Sequence, residues 1–162
     1  MNVSADIQVL ALVCIANGAP VIAKRLLGST WAIPLDGGLK LRDGQRLFGP
    51  SKTLRGIGFA VASASIVGPL VGVPMATSAI LATAAMIGDL MSSFVKRRLK
   101  METSAMALGL DQIPESLLPA LFAMMFFSLN FIDIVIIVTM FLCIELLISM
   151  LLFALDIRDR PY

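Results

Sequence analysis

From Ile57 to Val95 the chain carries no lysine and no arginine, and this run constrains the fold more than any other feature. As a single helix rising 1.5 Å per residue it would be almost twice as long as the roughly 30 Å hydrocarbon core of a bilayer. The run therefore has to turn, and "GPLVGVP" (Gly68 to Pro74) supplies the breakers near its middle. Two helices result, about 57–71 and 74–95. The run from Ser116 to Leu155 poses the same problem, and "SLNFID" (Ser128 to Asp133) punctuates it into helices of about 114–129 and 132–155. Val3 to Ala23 forms one more, about 3–23. Composition agrees with this reading. Hydrophobic residues make up 58% of the chain and charged residues 15%, against about 25% charged in soluble domains. The expectation is an all-α integral membrane protein with five transmembrane helices in a single domain, residues 1–162.

The basic residues orient the bundle. Seven of the thirteen lie between Lys24 and Arg55, four are Lys96, Arg97, Arg98 and Lys100, and two are Arg158 and Arg160. With five spans all three groups fall on one side, which the positive-inside rule makes cytoplasmic. The N-terminus is then outside, the C-terminus inside, and the glycine-rich and basic loops face the cytoplasm from the cell membrane. A net charge of +2 is too small to indicate nucleic acid. Cys14 and Cys143 both sit in apolar runs and suggest neither a disulfide framework nor a metal motif. Histidine is absent, which excludes His-based acid–base catalysis, Ser-His-Asp triads and His metal ligands. Polar Asn2, Ser4 and Asp6, with no basic lead, make the first run a retained helix rather than a cleaved signal.

Between the apolar runs stands "PLDGGLKLRDGQRLFGPSKTLRG", residues 34–56. Gly37, Gly38, Gly44 and Gly49 allow positive φ and close approach to a ligand. Lys52, Thr53 and Arg55 lead into the second helix. Glycines and cations beside a helix start suit phosphate groups, which take backbone N–H and charge-assisted bonds. Asp36 and Asp43 are candidates for a supporting or nucleotide-contacting role. The spacing is not that of a Walker A loop. A solvated positive-inside loop would explain the charge, but not the richness in glycine and aspartate.

The second cluster is "GDLMSSFVKRRLK", Gly88 to Lys100. Helical spacing puts Asp89, Ser93 and Lys96 on one face, with Arg97 nearby. A carboxylate two turns inside the basic end needs a cation, a metal or cavity water, so Asp89 is either functional or salt-bridged to Lys96 or Arg97. Asp111, in "GLDQIP", lies in the next loop on the same side. An Asp89–Asp111 pair would suit Mg²⁺, which takes one or two carboxylates plus phosphate oxygens and waters. Glu145 is divided between a helix–helix contact and a site role. Asp6 and Asp133 are expected near the outer surface and solvated. Trp31 reads as an interfacial anchor ahead of a base-stacking ring.

"PLDGG…DGQRLFGPSKTLRG", "GD…SFVKRR" and "LDQIP", in that order over nearly the whole chain, resemble the CDP-archaeol synthase family. These are integral-membrane CTP transferases similar to the phosphatidate cytidylyltransferases. The resemblance implies transfer of CMP from CTP to 2,3-di-O-geranylgeranylglyceryl phosphate, giving a CDP-lipid and pyrophosphate, with Mg²⁺. It implies catalytic roles for Asp89, Asp111 and Lys96, with the metal on Asp89 and Asp111. Substrate would meet Asp36, Gly37, Gly38, Asp43, Gly44, Lys52, Thr53, Arg55, Ser93 and Arg97. The implied partners are CTP, a membrane lipid phosphate and the bilayer, and a homodimer stays open. The broader S-x-x-K-R signature is met by Ser93, Lys96 and Arg97, but Glu102–Thr103 replace its K-D pair and its histidine is missing. The 100–110 loop also has fewer glycines than the family pattern.

The chemistry does not need the missing histidine. A phosphate monoester with a second pKa near 6 is already a dianion at pH 7. Two other readings compete. A CDP-alcohol phosphotransferase would need D-G-x-x-A-R, but Leu47 and Phe48 follow Asp43–Gly44 at the A-R positions. A non-enzymatic subunit binding anionic lipid would explain the basic loops without Asp89 or Asp111.

Overall fold

The apolar runs form α1 (Val3–Leu27), α2 (Leu54–Val67), α3 (Met75–Arg98), α4 (Gln112–Ala123) and α5 (Phe131–Ala154). This is a computed structural model, and it describes residues 3–102 and 107–154. Thr103, the middle of the 100–110 loop, Arg158, Arg160 and the C-terminus lie outside the described residues. No strand occurs among the described residues. The breakers act where the sequence puts them. After α2 the chain tightens into a 3₁₀ turn, Gly68–Val71, and Gly72 reverses it at φ 83°.

The helices run alternately up and down. Gln8 Nε2 donates to the Val71 carbonyl at one end of the bundle (2.8 Å), while Arg98 reaches Asp43 at the other. All the described lysines and arginines belong to this second end, in the segment from Lys24 to Arg55 and in the stretch from Lys96 to Lys100 that closes α3.

Small residues take a large share of the core, beside Leu12, Leu81, Ile137 and Phe141, while many large apolar side chains face outward. Ala5, Ala16, Ala60, Ala64, Ala82, Ala85, Ala120 and Ala123 are buried, and Ser78 and Ser116 are fully buried beside them. Ile22, Ile66, Leu70, Phe131 and Leu147 are exposed. A soluble protein does not expose large apolar side chains on this scale. Lipid provides no hydrophobic drive between helices, so small residues that let backbones approach mark bilayer packing. Gly68 shows the closeness: a Cβ there would stand 1.8 Å from Ser78 Oγ.

Four described segments are long and apolar enough to cross a membrane: Val3–Leu27, Leu54–Val71, Met75–Arg98 and Phe131–Leu151. The fourth expected helix differs. α4 has 12 residues, about 18 Å at 1.5 Å per residue, and then turns. The amides of Met124, Met125 and Phe126 bond three residues back, to Leu121, Phe122 and Ala123. Apolar composition from 124 to 127 sets where the segment sits, but not whether it stays helical.

The start of α5 corrects another expectation. Asp133 and Asp6 are buried, at 0% and 7% exposure, not solvated. Asn130 Oδ1 accepts from the Ile132 and Asp133 amides, and the Asp133 carboxylate accepts from the Asn130 amide at 2.8 Å. This reciprocal cap satisfies the free N–H groups of the helix start, and packing against the first turn of α1 covers it.

Candidate active site

Asp36 organises the glycine-rich loop. Its carboxylate accepts from the amides of Gly38 (3.0 Å), Phe48 (3.2 Å) and Gly49 (2.9 Å), and from the Arg46 guanidinium. Its side chain has no exposed surface. Burial alone would raise its pKa, but Arg46 and the Gly49, Gly38 and Phe48 amides outweigh it and hold the carboxyl well below the usual range. Of its two expected roles, the geometry matches the supporting one. Gly38, at φ 86°, makes the turn that returns its own amide to Asp36. Two isolated bridges, Pro34 with Thr53 and Lys40 with Arg46, close the loop on itself.

Thr53 caps α2, accepting from the Gly56 amide at 3.1 Å. That fixes the chain direction at Lys52, whose ammonium meets Asp89 at 2.5 Å. The alternative partners foreseen for Asp89 were Lys96 and Arg97, and the structure replaces them. Residues 89 and 96 share a face but lie two turns apart, about 10 Å along the axis, so Lys96 instead pairs with Asp111 at 2.7 Å. Asp111 also accepts from the Ala107 amide at 3.0 Å. Ser93, Lys96 and Arg97 are all buried. Arg97 donates to the Glu102 carbonyl at 2.9 Å, and its stem would touch a Cβ at Gly49 at 3.6 Å.

Arg98 ties the loop to α3. It donates to Asp43 at 2.8 Å and to the Arg46 carbonyl at 2.6 Å, and its guanidinium lies over the Phe94 ring. Of the expected residues, Asp36, Gly37, Gly38, Asp43, Gly44, Lys52, Asp89, Ser93, Lys96, Arg97 and Asp111 thus share one end of the bundle. Arg55 turns aside, to the carbonyls of Gly28 and Thr30. It borders an open apolar groove of about 490 Å³ lined by Trp31, Ile33, Leu54, Phe59 and Ala62. Trp31 is 73% exposed there, as suits an interfacial anchor.

Three residues with work to do were missed in the sequence. Arg46 and Arg98 looked like two more basic residues, and no spacing rule pairs them with Asp36 and Asp43. Glu115, in the first turn of α4, is buried. Its carboxyl sits beside Asp89 within hydrogen-bond reach, and Glu145 lies close enough to act on it through space. Its position three residues after the "LDQ" aspartate-glutamine pair was the only available signal. Among the described residues no group of three or more His, Cys, Asp or Glu is arranged to hold a metal. Acidic pairs remain, and their hard oxygens suit an ion that completes its shell with phosphates and water.

Paired cations and carboxylates around a folded glycine loop, at the end of a bundle with an apolar exterior, define an intramembrane protein that handles phosphorylated ligands. Comparison with known proteins narrows that class. The profile of the CarS-like CDP-archaeol synthase family matches residues 7–162. A CDP-archaeol synthase of Thermofilum pendens is 33% identical over 154 residues, covering 91% of this chain and 76% of its own. One of Pyrobaculum arsenaticum is 41% identical over 104 residues, 61% of this chain and 62% of its own. A solved structure, of an intramembrane enzyme for archaeal membrane lipid biosynthesis, superposes with a TM-score of 0.78 at 29% identity, covering 88% of this chain and 91% of that one. The chain belongs to the CDP-archaeol synthase family, and is a CTP-dependent nucleotidyltransferase of the membrane.

Proposed function

We propose that this protein transfers CMP from CTP to an isoprenoid ether glycerol phosphate at the cytoplasmic face of the membrane, releasing pyrophosphate. The observation that carries this reading is the placement of Lys52–Asp89 and Lys96–Asp111 beside the Asp36-centred loop. Each lysine is held at the site by a carboxylate and can turn to a phosphate when CTP arrives.

The acceptor phosphate, a dianion near neutral pH, attacks the α-phosphorus of CTP. A bond forms between its oxygen and that phosphorus, the bond to the β-phosphate bridging oxygen breaks, and pyrophosphate leaves with the electron pair. No proton has to be removed from the nucleophile. Lys52, Lys96 and Arg97 screen the anions as they approach, Ser93 offers a hydroxyl, and the loop amides around Gly37, Gly38 and Gly44 border the nucleotide. Asp89 and Asp111 would hold Mg²⁺, which when bound neutralises charge on the phosphates. Asp36 and Asp43 keep the loop folded, and Thr53 sets the start of α2. Arg55 and the groove behind it offer the lipid a charged rim and an apolar bed.

The test is purified protein with α-labelled CTP and either the geranylgeranyl ether phosphate or a diacyl phosphate. CDP-lipid and pyrophosphate in equal amounts, formed preferentially with the ether lipid, are expected. Lipid binding without either product would favour the non-enzymatic reading. Asp89→Asn and Asp111→Asn, assayed across a Mg²⁺ titration, should each lose most activity and shift the metal requirement upward. A variant with the normal rate and metal dependence would remove that residue from the site.

A further inference from the structure

The two buried cations at the end of α3, Lys96 and Arg97, are followed by a third, Arg98, which reaches across to the glycine-rich loop. We propose that Arg98 is a positioning residue for the nucleotide: it latches a finger of the loop, residues 39–47, onto the last turn of α3 and so sets the loop in register with Lys96 and Arg97; this rests on the cytidylyltransferase reading above.

Three observations carry it. The first is that the finger needs a tether. Its two sides are joined by the Lys40–Arg46 bridge, by the Leu41 amide on the Gln45 carbonyl (2.9 Å) and by the Leu47 amide on the Leu39 carbonyl (3.0 Å). At its tip Gly44 takes φ 77°, and the Asp43 carboxylate accepts from the Gln45 amide at 3.1 Å. Residues 39–44 are exposed, and an isolated two-stranded hairpin is at best marginally stable in water.

The second is how Arg98 supplies the tether. Its guanidinium donates to the Asp43 carboxylate (2.8 Å) and to the carbonyls of Arg46 (2.6 Å) and Gln45 (3.4 Å). The Phe94 ring, one turn earlier on α3, lies beneath it with its centroid at 5.2 Å, within cation–π range. A basic residue at a helix C-terminus commonly serves the helix dipole, but these three acceptors all lie on the finger. Lysine would keep the charge without the planar fork that is divided among them.

The third is that the latch closes a ring of contacts. Arg98 holds the Arg46 carbonyl, the Arg46 guanidinium holds Asp36, and Asp36 holds the Gly49 amide at 2.9 Å. Gly49 lies against the Arg97 side chain, whose Cδ would stand 3.6 Å from a Cβ there, and Arg97 precedes Arg98 in the chain. Two separate points of the loop are thereby seated on one turn of α3, the turn that also carries Lys96. Without Arg98 the ring opens at the finger. The amide bonds to Asp36 remain, so the loop keeps its fold but loses its register with the cations. None of the three acceptors belongs to Lys52, Asp89 or Lys96, so the transfer step is spared once CTP is bound.

The test combines steady-state kinetics with amide exchange on the full-length detergent-purified protein. Arg98→Ala should raise the KM for CTP about tenfold, the worth of one charge-assisted hydrogen bond. The kcat at saturating CTP should be unchanged, the pattern of lost binding and not of a lost transition-state contact. Arg98→Lys should behave like Arg98→Ala, which neither a simple attraction between charges nor service to the helix dipole would produce. It also carries the test should the alanine variant fail to fold. In hydrogen–deuterium exchange without substrate, residues 39–47 should exchange about tenfold faster in both variants, with α1 at the wild-type rate. A wild-type KM in Arg98→Ala, a wild-type KM in Arg98→Lys, or wild-type exchange of residues 39–47 would overturn the assignment and leave Arg98 as a surface cation closing α3. Failure of the wild-type protein to form CDP-lipid would instead overturn the parent reading, while the exchange result still decides whether Arg98 holds the finger.

Discussion

Asp36 converts a flexible segment into a cradle. Five donors converge on one buried carboxylate, and each donor left unsatisfied after its removal costs about 1–3 kcal/mol. Asp36→Asn should open the loop, raise the KM for CTP and shift the emission of Trp31, the only tryptophan. Because the folded carboxyl titrates below the usual range, its contribution is complete above about pH 4. It is lost only as the pH falls through the lower folded value. Acid weakening of the loop below pH 4, seen in wild type and absent in Asp36→Asn, is the expected pattern; identical acid profiles would remove Asp36 from that role. Lys52→Ala should impair CTP use strongly and leave membrane insertion intact, because Lys52 reaches Asp89 from outside the apolar run. Unchanged kinetics would favour a merely solvated loop. At this scale the sequence showed which residues were candidates but not how they pair. Asp89 took Lys52 and not Lys96 because the partner comes from the loop ahead of α2, and local spacing carries no information about that.

At the scale of elements, Gly88 sets the distance between α3 and α4. Alanine normally gains up to about 1 kcal/mol over glycine inside a helix, and Gly18, with nothing within 4 Å of its Cβ position, should show that gain or no effect. At Gly88 the obstacle is backbone, the Pro114 carbonyl at 2.1 Å, and it cannot rotate away. Overpacking of this kind costs about 1–3 kcal/mol and outweighs propensity. Gly88→Ala should lower the melting temperature and activity together, while Gly18→Ala does neither; a Gly88→Ala variant as active and stable as wild type would show that α4 is free to shift. Helix existence and order were legible in the sequence, because hydrophobic runs, "GPLVGVP" and "SLNFID" are local signals. The length of α4 was not. Met124 to Phe127 are as apolar as a helix requires, yet they turn towards the Asn130–Asp133 cap. Nor was the burial of Asp133, since a capping aspartate and a solvated one look alike until α1 packs against it.

For the whole molecule, α4 decides how many times the chain crosses the bilayer. Twelve residues of helix span about 18 Å, short of the roughly 30 Å hydrocarbon core. The six residues from Met124 to Leu129 follow, and even part-extended, at up to about 3.3 Å each, they can supply the remaining distance. The capping Asp133 is also close enough to act on Asp6 through space, and Asp6 starts α1 at the end opposite the basic loops. Five crossings would place all the described lysines and arginines on one side and, by the positive-inside rule, the N-terminus outside. Four crossings would put the start of α5 beside Arg42, contrary to its packing next to Asp6. Membrane-impermeant thiol labelling distinguishes the two, once Cys14 and Cys143 are replaced by alanine. Leu70→Cys and Ser128→Cys, both at exposed positions, should label from outside intact cells, and Arg42→Cys only after the membrane is opened. Ser128→Cys labelling from the same side as Arg42→Cys would reduce α4 to a re-entrant hairpin. The positive-inside reading of the basic loops would then have to be rebuilt around four spans.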